Sequence, residues 1–126
     1  MKYSKMIMEH FKNPRNLGEM ENPDTIGKVG NSVCGDTMKI YLKVKDDKIE
    51  DIKFQTLGCA VAIAMTSILT ELTKGKTLEY ASKIKAQDLL KNVEDVPKNK
   101  IHCSVLAQDA LKDAIKNYNK KHKIKK

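Results

Sequence analysis

The sequence predicts an α+β domain in which a small antiparallel sheet of three strands carries helices packed on one face. Three observations support that class. From Lys39 to Thr56 apolar and polar residues alternate, the pattern of strands with one wet face and one face for a core. After Gly58 the apolar spacing changes to three and four, the helical period. Strands come first and helices follow, which gathers the helices on the sheet instead of threading them between parallel strands.

Tyr3–Lys12 reads as a short amphipathic helix with Met6, Ile7 and Phe11 near one side. Asn13-Pro14 stops it, because proline cannot continue the hydrogen-bonded turn. Arg15–Gly30 is rich in Gly, Asn and Pro and reads as loop. A weaker strand pattern covers Lys28–Val33, interrupted by Gly30 and Asn31. Ile40, Leu42 and Val44 then point one way while Lys39, Tyr41, Lys43 and Lys45 point the other. Asp46-Asp47 makes a turn, and Ile52, Phe54 and Thr56 line the returning strand of a hairpin. Beyond it, Cys59–Lys74 is apolar nearly all round in its first turns and ends at Gly75, a C-terminal cap. Thr77 caps a short helix through Lys85, and Ala86–Asn92 forms another. The last helix begins near Cys103 or Ser104, with Ala107, Ala110, Leu111, Ala114, Ile115 and Tyr118 recurring on its core face.

A chain of 126 residues is one domain, 1–126, long enough to bury a core without disulfide staples, with a lysine-rich tail at about 119–126. Charges within Met1–Phe11 leave no apolar run for a signal peptide. The longest uncharged stretch, Phe54–Thr70, contains Gln55, Thr56, Thr66 and Ser67 and is too short and polar for a membrane span. Three cysteines cannot pair completely, so the expected setting is a reducing cytoplasm with free or metal-bound thiols. The net charge of +8 raises nucleic acid as a partner. Much of the excess lies in Lys116–Lys126, which reads as a solvated tail with nonspecific attraction to acidic partners at low salt. Arg15 is the only arginine and aromatics are 5%, whereas base-reading surfaces lean on both, so no nucleic-acid partner is expected.

The chemistry is concentrated in the cysteines. Cys34 opens a Cys-Gly-Asp triplet, Cys59 follows Gly58, and Cys103 follows His102. Gly35 and Gly58 let the backbone turn beside a bulky inorganic group. Cys59 and Cys103 fall at expected helix N-termini, where the positive end of the dipole favours thiolate, the form that binds metal and attacks sulfur. With Asp36 and His102 these thiols make a donor set suited to iron–sulfur or zinc chemistry. Asp36 is a hard ligand in soft company, so three thiolates and an exchangeable fourth ligand suit a cluster that must leave. His102 is the other candidate for that fourth position. Adjacent residues on a helix diverge by about 100°, so His102 and Cys103 cannot both bind one atom without distorting the helix start. Each feature also has a plainer reading: a buried cysteine as a small hydrophobe, Cys-Gly-Asp as a turn, His102 as a cap.

The chain resembles the IscU/NifU-type iron–sulfur cluster assembly scaffolds. The likeness is carried by Tyr3-Ser4, His10-Phe11-Lys12-Asn13-Pro14-Arg15-Asn16, Cys34-Gly35-Asp36, Gly58-Cys59-Ala60-Val61-Ala62-Ile63-Ala64, Lys74-Gly75-Lys76 and the run Lys100–Ala110 containing Ile101-His102-Cys103-Ser104. These segments stand in family order and cover nearly the whole chain except the tail. The resemblance implies an IscU/SufE-like fold and a scaffold without turnover of its own. It implies that Cys34, Cys59 and Cys103 hold a transient [2Fe–2S] cluster, with Asp36 and His102 as auxiliary ligands. Cys103 would accept persulfide sulfur from a cysteine desulfurase, and Asp36 is associated with cluster lability. Iron and electrons would come from a frataxin-like protein and a ferredoxin, and apo-proteins would receive the cluster. Zn²⁺ can occupy the same site in this family.

Departures from the family pattern bear on these expectations. Val96-Pro97-Lys98-Asn99-Lys100 stands where the family carries Leu-Pro-Pro-Val-Lys, so recognition by an Hsp70-type chaperone is not implied. Met65 and Thr66 replace serines of the bacterial scaffold, a change expected to affect packing only. The stretch from Cys59 to Cys103 lacks the insertion of the SufU branch, which weighs against the alternative function of a zinc-dependent persulfide acceptor. The chain also ends without the further cysteine-bearing domains of full-length NifU proteins.

Overall fold

The computed structural model describes residues 5–30, 37–58, 60–90 and 102–121, with the backbone alone at Ala86, Leu90 and 102–104. Its elements are α1 (Lys5–Lys12), β1 (Thr25–Gly30), β2 (Thr37–Lys45), β3 (Lys48–Leu57), α2 (Ala60–Thr73), α3 (Leu78–Ser82), α4 (Ala86–Leu90) and α5 (His102–Lys121). The strands form one antiparallel sheet in the order β1-β2-β3, and the helices lie over its apolar face, as the alternation predicts.

Met38, Ile40, Leu42, Ile49, Ile52 and Phe54 form that face and are sealed from solvent. Asp46 and Asp47 both take positive φ (53° and 61°), the geometry that lets a two-residue loop match the strand twist. The register shifts between Lys43 and Val44, where Lys43 faces Asp51 and Val44 faces Ile49. Glu50 is thus the extra residue, and the bulge is why Ile49 and Ile52 both point inward despite their odd spacing. Tyr41 departs from expectation. It lies on the outer face with Lys39 and Lys43, yet it is only 4% exposed. The Lys39 ammonium sits 5.1 Å from its ring centroid, and its hydroxyl donates to Gln55 Oε1 at 2.5 Å.

The first strand begins earlier than the pattern suggested. Thr25–Gly30 pairs with β2, within what reads as loop, and residues 31–33 of the expected strand lie outside the described residues. Its inward position opposite Ile40 is Gly27, where any Cβ would overlap the Ala110 carbonyl oxygen and the Ala114 backbone nitrogen. α5 packs so closely on β1 that only glycine fits. The residue that makes this strand work is the one that hides it in the sequence.

α2 is buried on nearly every side, from Val61 to Thr73. Met65 and Thr66 sit in the core, with Thr66 Oγ1 donating to the Ala62 carbonyl at 2.8 Å. The helix ends as expected at Gly75, whose φ of +86° needs glycine. α1 packs on α2 through Ile7 and His10, whereas Met6 and Phe11 are 40% and 39% exposed, so the face expected inside lies largely outside. Thr77 caps α3 by accepting from the Tyr80 N–H. That helix stops at Ser82 instead of Lys85, because Lys85 sits at the cap position before α4, its N–H held by Asp88 Oδ2 at 2.9 Å.

Both sheet edges are covered. Gly18 donates to the Phe54 carbonyl and Phe54 donates to the Asn16 carbonyl, laying residues 16–18 along β3. On the other edge, Asp113 Oδ2 accepts from the Lys28 N–H and Asn117 Nδ2 donates to the Ile26 carbonyl, both from α5. Edge groups so occupied cannot recruit another strand.

Candidate metal centre

Cys34, Asp36 and Cys59 lie outside the described residues, and at His102 and Cys103 only the helix backbone is described. Their frame is well defined. Gly30 pairs with Thr37 and Thr37 with Leu57, so these three residues form one row at one end of the sheet. The connection 31–36, which contains Cys34 and Asp36, leaves and re-enters at that row. Cys59 follows two residues after Leu57 and immediately precedes α2. Two of the three thiol-bearing connections therefore start from one end of the sheet.

α5 brings the third. It runs antiparallel to β1: Lys121 Nζ donates to the Asp24 carbonyl, Asn117 bonds Ile26, and Asp113 bonds Lys28. Each step toward Gly30 along the strand is a step toward the start of the helix. From Gly27 to Gly30 the strand rises about 10 Å. From Ala110 to Cys103 the helix rises about 10 Å. The backbone of Cys103 is thereby level with the row from which the other two connections depart.

That end of the sheet is open. Gly30, Thr37 and Gly58 are exposed, Leu57 is 73% exposed, and Val105 on the first turns of α5 is 42% exposed. The N-termini of α2 and α5 both fall here, with their positive dipole ends and first N–H groups that have no partner within the helix. A thiol at such a position is biased toward thiolate, ready to bind a soft metal or to attack a sulfur atom. Among the described residues, no three of His, Cys, Asp or Glu are grouped to hold a metal ion elsewhere.

A second polar centre escapes the sequence reading. The segment His10–Asn16 is bound to α2 by hydroxyls buried within that helix. The Arg15 N–H donates to Ser67 Oγ at 2.8 Å, and Ser67 Oγ lies 2.7 Å from His10 Nδ1. Asn16 Nδ2 donates to Thr70 Oγ1 at 2.9 Å. Arg15 also pairs with Glu9 and Glu71, and His10 Nε2 lies 3.5 Å from Glu71. Because Ser67 already accepts from Arg15, its own proton is free for His10 Nδ1, which makes the imidazole the neutral Nε2–H form. Burial, reinforced by Arg15, lowers the His10 pKa below its usual 6.5, against the opposing pull of Glu71 and Glu9. The signal in the sequence was Ser67 and Thr70 inside an apolar helix, hydroxyls that needed partners.

The model of the NifU-like N-terminal domain matches residues 2–125. The chain belongs to that family. It is 55% identical over 120 residues to the iron–sulfur cluster assembly scaffold protein IscU 1 of Archaeoglobus fulgidus, covering 95% of this chain and 78% of that one. To the scaffold protein IscU of Escherichia coli K12 it is 46% identical over 129 aligned positions, covering 99% and 100%. A candidate SUF-system scaffold from Fervidobacterium islandicum shares its fold at 26% identity and TM-score 0.73, covering 90% and 96%. The N-terminal part of a NifU-like protein from Brucella abortus, 24% identical, shares the fold at TM-score 0.75, covering 93% and 94%. This NifU-type domain has, among its described residues, no helix long and apolar enough to cross a membrane.

Proposed function

We propose that this protein is a scaffold on which a transient [2Fe–2S] cluster is built from iron and persulfide sulfur and then handed to apo-proteins. The observation that supports the reading is that the described residues flanking the three cysteines share one end of the fold: the row Gly30, Thr37 and Leu57, and the start of α5 level with it. The close similarity to scaffold proteins named IscU supports it over nearly the full length.

The donor set fits the cargo. Cys34, Cys59 and Cys103 supply three soft thiolates, and Asp36 or His102 supplies a weaker fourth ligand that a departing cluster can exchange. The Cys103 thiolate attacks the terminal sulfur of a persulfide on a cysteine desulfurase. The S–S bond breaks, the desulfurase leaves as thiolate, and the sulfane sulfur remains on Cys103. Two electrons from a ferredoxin-type donor reduce it to sulfide as iron, supplied by a frataxin-like donor, enters. The protein itself turns nothing over: it positions ligands and releases cargo. Zn²⁺ fits the same donors, and an Hsp70-type chaperone is not part of the reading, because Val96–Lys100 lacks the recognition pattern and lies outside the described residues.

Anaerobic reconstitution with iron, cysteine and a cysteine desulfurase tests the proposal. A [2Fe–2S] absorption spectrum that migrates to apo-ferredoxin is the expected result. Tightly held zinc with persulfide on a cysteine and no cluster would instead make the protein a zinc-dependent persulfide acceptor of SufU type. Cys103→Ser is expected to abolish persulfide transfer, and persulfide retained at Cys34 or Cys59 would move the acceptor role there.

A further inference from the structure

Between α5 and the outer edge of β1 runs a short polar ladder that the cluster chemistry itself does not require. The Lys28 N–H donates to Asp113 Oδ2 at 2.9 Å, and Asn117 Nδ2 donates to the Ile26 carbonyl at 2.8 Å. Thr25 Oγ1 donates to the Ala114 carbonyl at 2.8 Å, and Lys121 Nζ donates to the Asp24 carbonyl at 3.0 Å. An acceptor faces a strand N–H, and one turn on, a donor faces a strand carbonyl. This order reads register. Sliding α5 by one turn so that Asp113 faced Ile26 would set a carboxylate against a carbonyl with no proton between them. Sliding it the other way would put the much larger Tyr118 into the fully buried place that Ala114 fills against Gly27, where the helix backbone already occupies the room a Cβ on Gly27 would need.

We propose that Asp113 and Asn117 are positioning residues for Cys103. The argument rests on the scaffold reading above and adds how one of its thiols is placed. Cys103 sits on the far end of the same rigid helix, ten residues before Asp113. One turn of slip moves that end by about 5.4 Å, more than twice a metal–thiolate bond of about 2.3 Å. The strand edge and the helix start thus act as one ruler. The strand fixes where 31–36 departs, and the ladder fixes the level at which the backbone of Cys103 stands. Two half-buried residues at the seam of α5 and β1 thereby govern a ligand they do not touch.

The test is the double variant Asp113→Ala, Asn117→Ala beside Asp113→Asn. Alanine is the best helix former, so the double variant keeps α5 helical while removing both contacts. Asparagine retains an acceptor for the Lys28 N–H. Three readouts are taken on the full chain: thermal unfolding, amide exchange at Lys28, and zinc affinity of the cluster-free protein. The double variant is expected to remain folded, to exchange the Lys28 amide faster, and to lose about tenfold in zinc affinity, the scale seen when groups orienting a ligand are removed. Asp113→Asn is expected to stay near wild type in both. A folded double variant with a freed Lys28 amide and undiminished zinc affinity would overturn the proposal. So would Asp113→Asn losing as much affinity as the double variant, since charge and not the bond would then matter. If the double variant does not fold, Asn117→Ser alone, read by zinc affinity, decides between the same outcomes. Wild-type protein that binds neither zinc nor cluster would sink the scaffold reading itself, a failure visible before any variant is made.

Discussion

At Ser67 one hydroxyl accepts from the Arg15 N–H and faces His10 Nδ1, so the imidazole beside it is held neutral inside the protein. The consequence is a pH dependence of stability with a definite sign. Burial and Arg15 place the folded-state pKa of His10 below 6.5, the value expected when unfolded. As pH falls below 6.5 the unfolded chain binds the proton first, which draws the equilibrium toward unfolding. The stabilisation is therefore complete above pH 6.5 and is lost as pH falls from there through the lower folded value. Urea midpoints at pH 7.5 and 5.5 should differ more for wild type than for His10→Gln, which keeps an acceptor for Ser67 but cannot charge. Equal slopes for the two proteins would place the pH sensitivity elsewhere. Asp36 calls for a different measurement. If the fourth ligand of the proposed scaffold is the Asp36 carboxylate, it would be the exchangeable one among thiolates, so Asp36→Ala is expected to assemble a cluster yet release it to apo-ferredoxin several-fold more slowly. Release at the wild-type rate would remove the lability role.

Among the elements, the contact between β1 and α5 is the one the sequence least discloses. Alternation gave away β2 and β3 because each has a lysine-bearing outer face and an aliphatic inner one. In β1 the inner face is Thr25, Gly27 and Val29, small residues cut to fit a helix lying almost on the backbone. A pattern-based reading sees glycines and calls for loop; only the partner helix, some 85 residues later, explains them. α5 itself was legible, since Ala107, Ala110 and Ala114 form a small-residue face whose purpose becomes clear once Gly27 is opposite. Gly27→Ala should therefore be costly although it adds one methyl group. The atoms in its way are backbone, and no rotamer change relieves them, so the helix must lift from the strand. We expect about 2–3 kcal/mol of destabilisation by urea denaturation, at the upper end for overpacking. Gly75→Ala would serve as the comparison: space is open there, and the cost is only that of the positive φ. A Gly27→Ala variant no less stable than Gly75→Ala would contradict the packing described. The cysteines, by contrast, were legible from residue type alone, while the common level of the described residues that flank them was not, because it depends on strand register and on the direction of α5.

Across the whole molecule, α5 separates two jobs by its length. Its start stands with the open end of the sheet and its end lies by Asp24 at the other, where Lys121 bonds the strand entrance. The 18 residues from Cys103 to Lys121 span about 27 Å along the helix axis. The lysine-rich tail continues from that far end. At physiological salt the Debye length is about 8 Å, so charge at Lys121 is screened from the start of α5 over more than three such lengths. The large positive charge and the candidate metal chemistry should then be separable. Removing residues 122–126 takes away Lys123, Lys125 and Lys126 and lowers the net charge by three, while leaving Lys121 and its bond to Asp24 in place. The shortened protein is expected to melt within about 1 °C of the full chain, since surface changes away from packed contacts are usually small. It should assemble and transfer cluster at the same rate, and it should bind acidic surfaces more weakly at low salt. Slower assembly at 150 mM salt would mean that the tail acts on the site by contact and not through its field, because at that ionic strength the field does not reach.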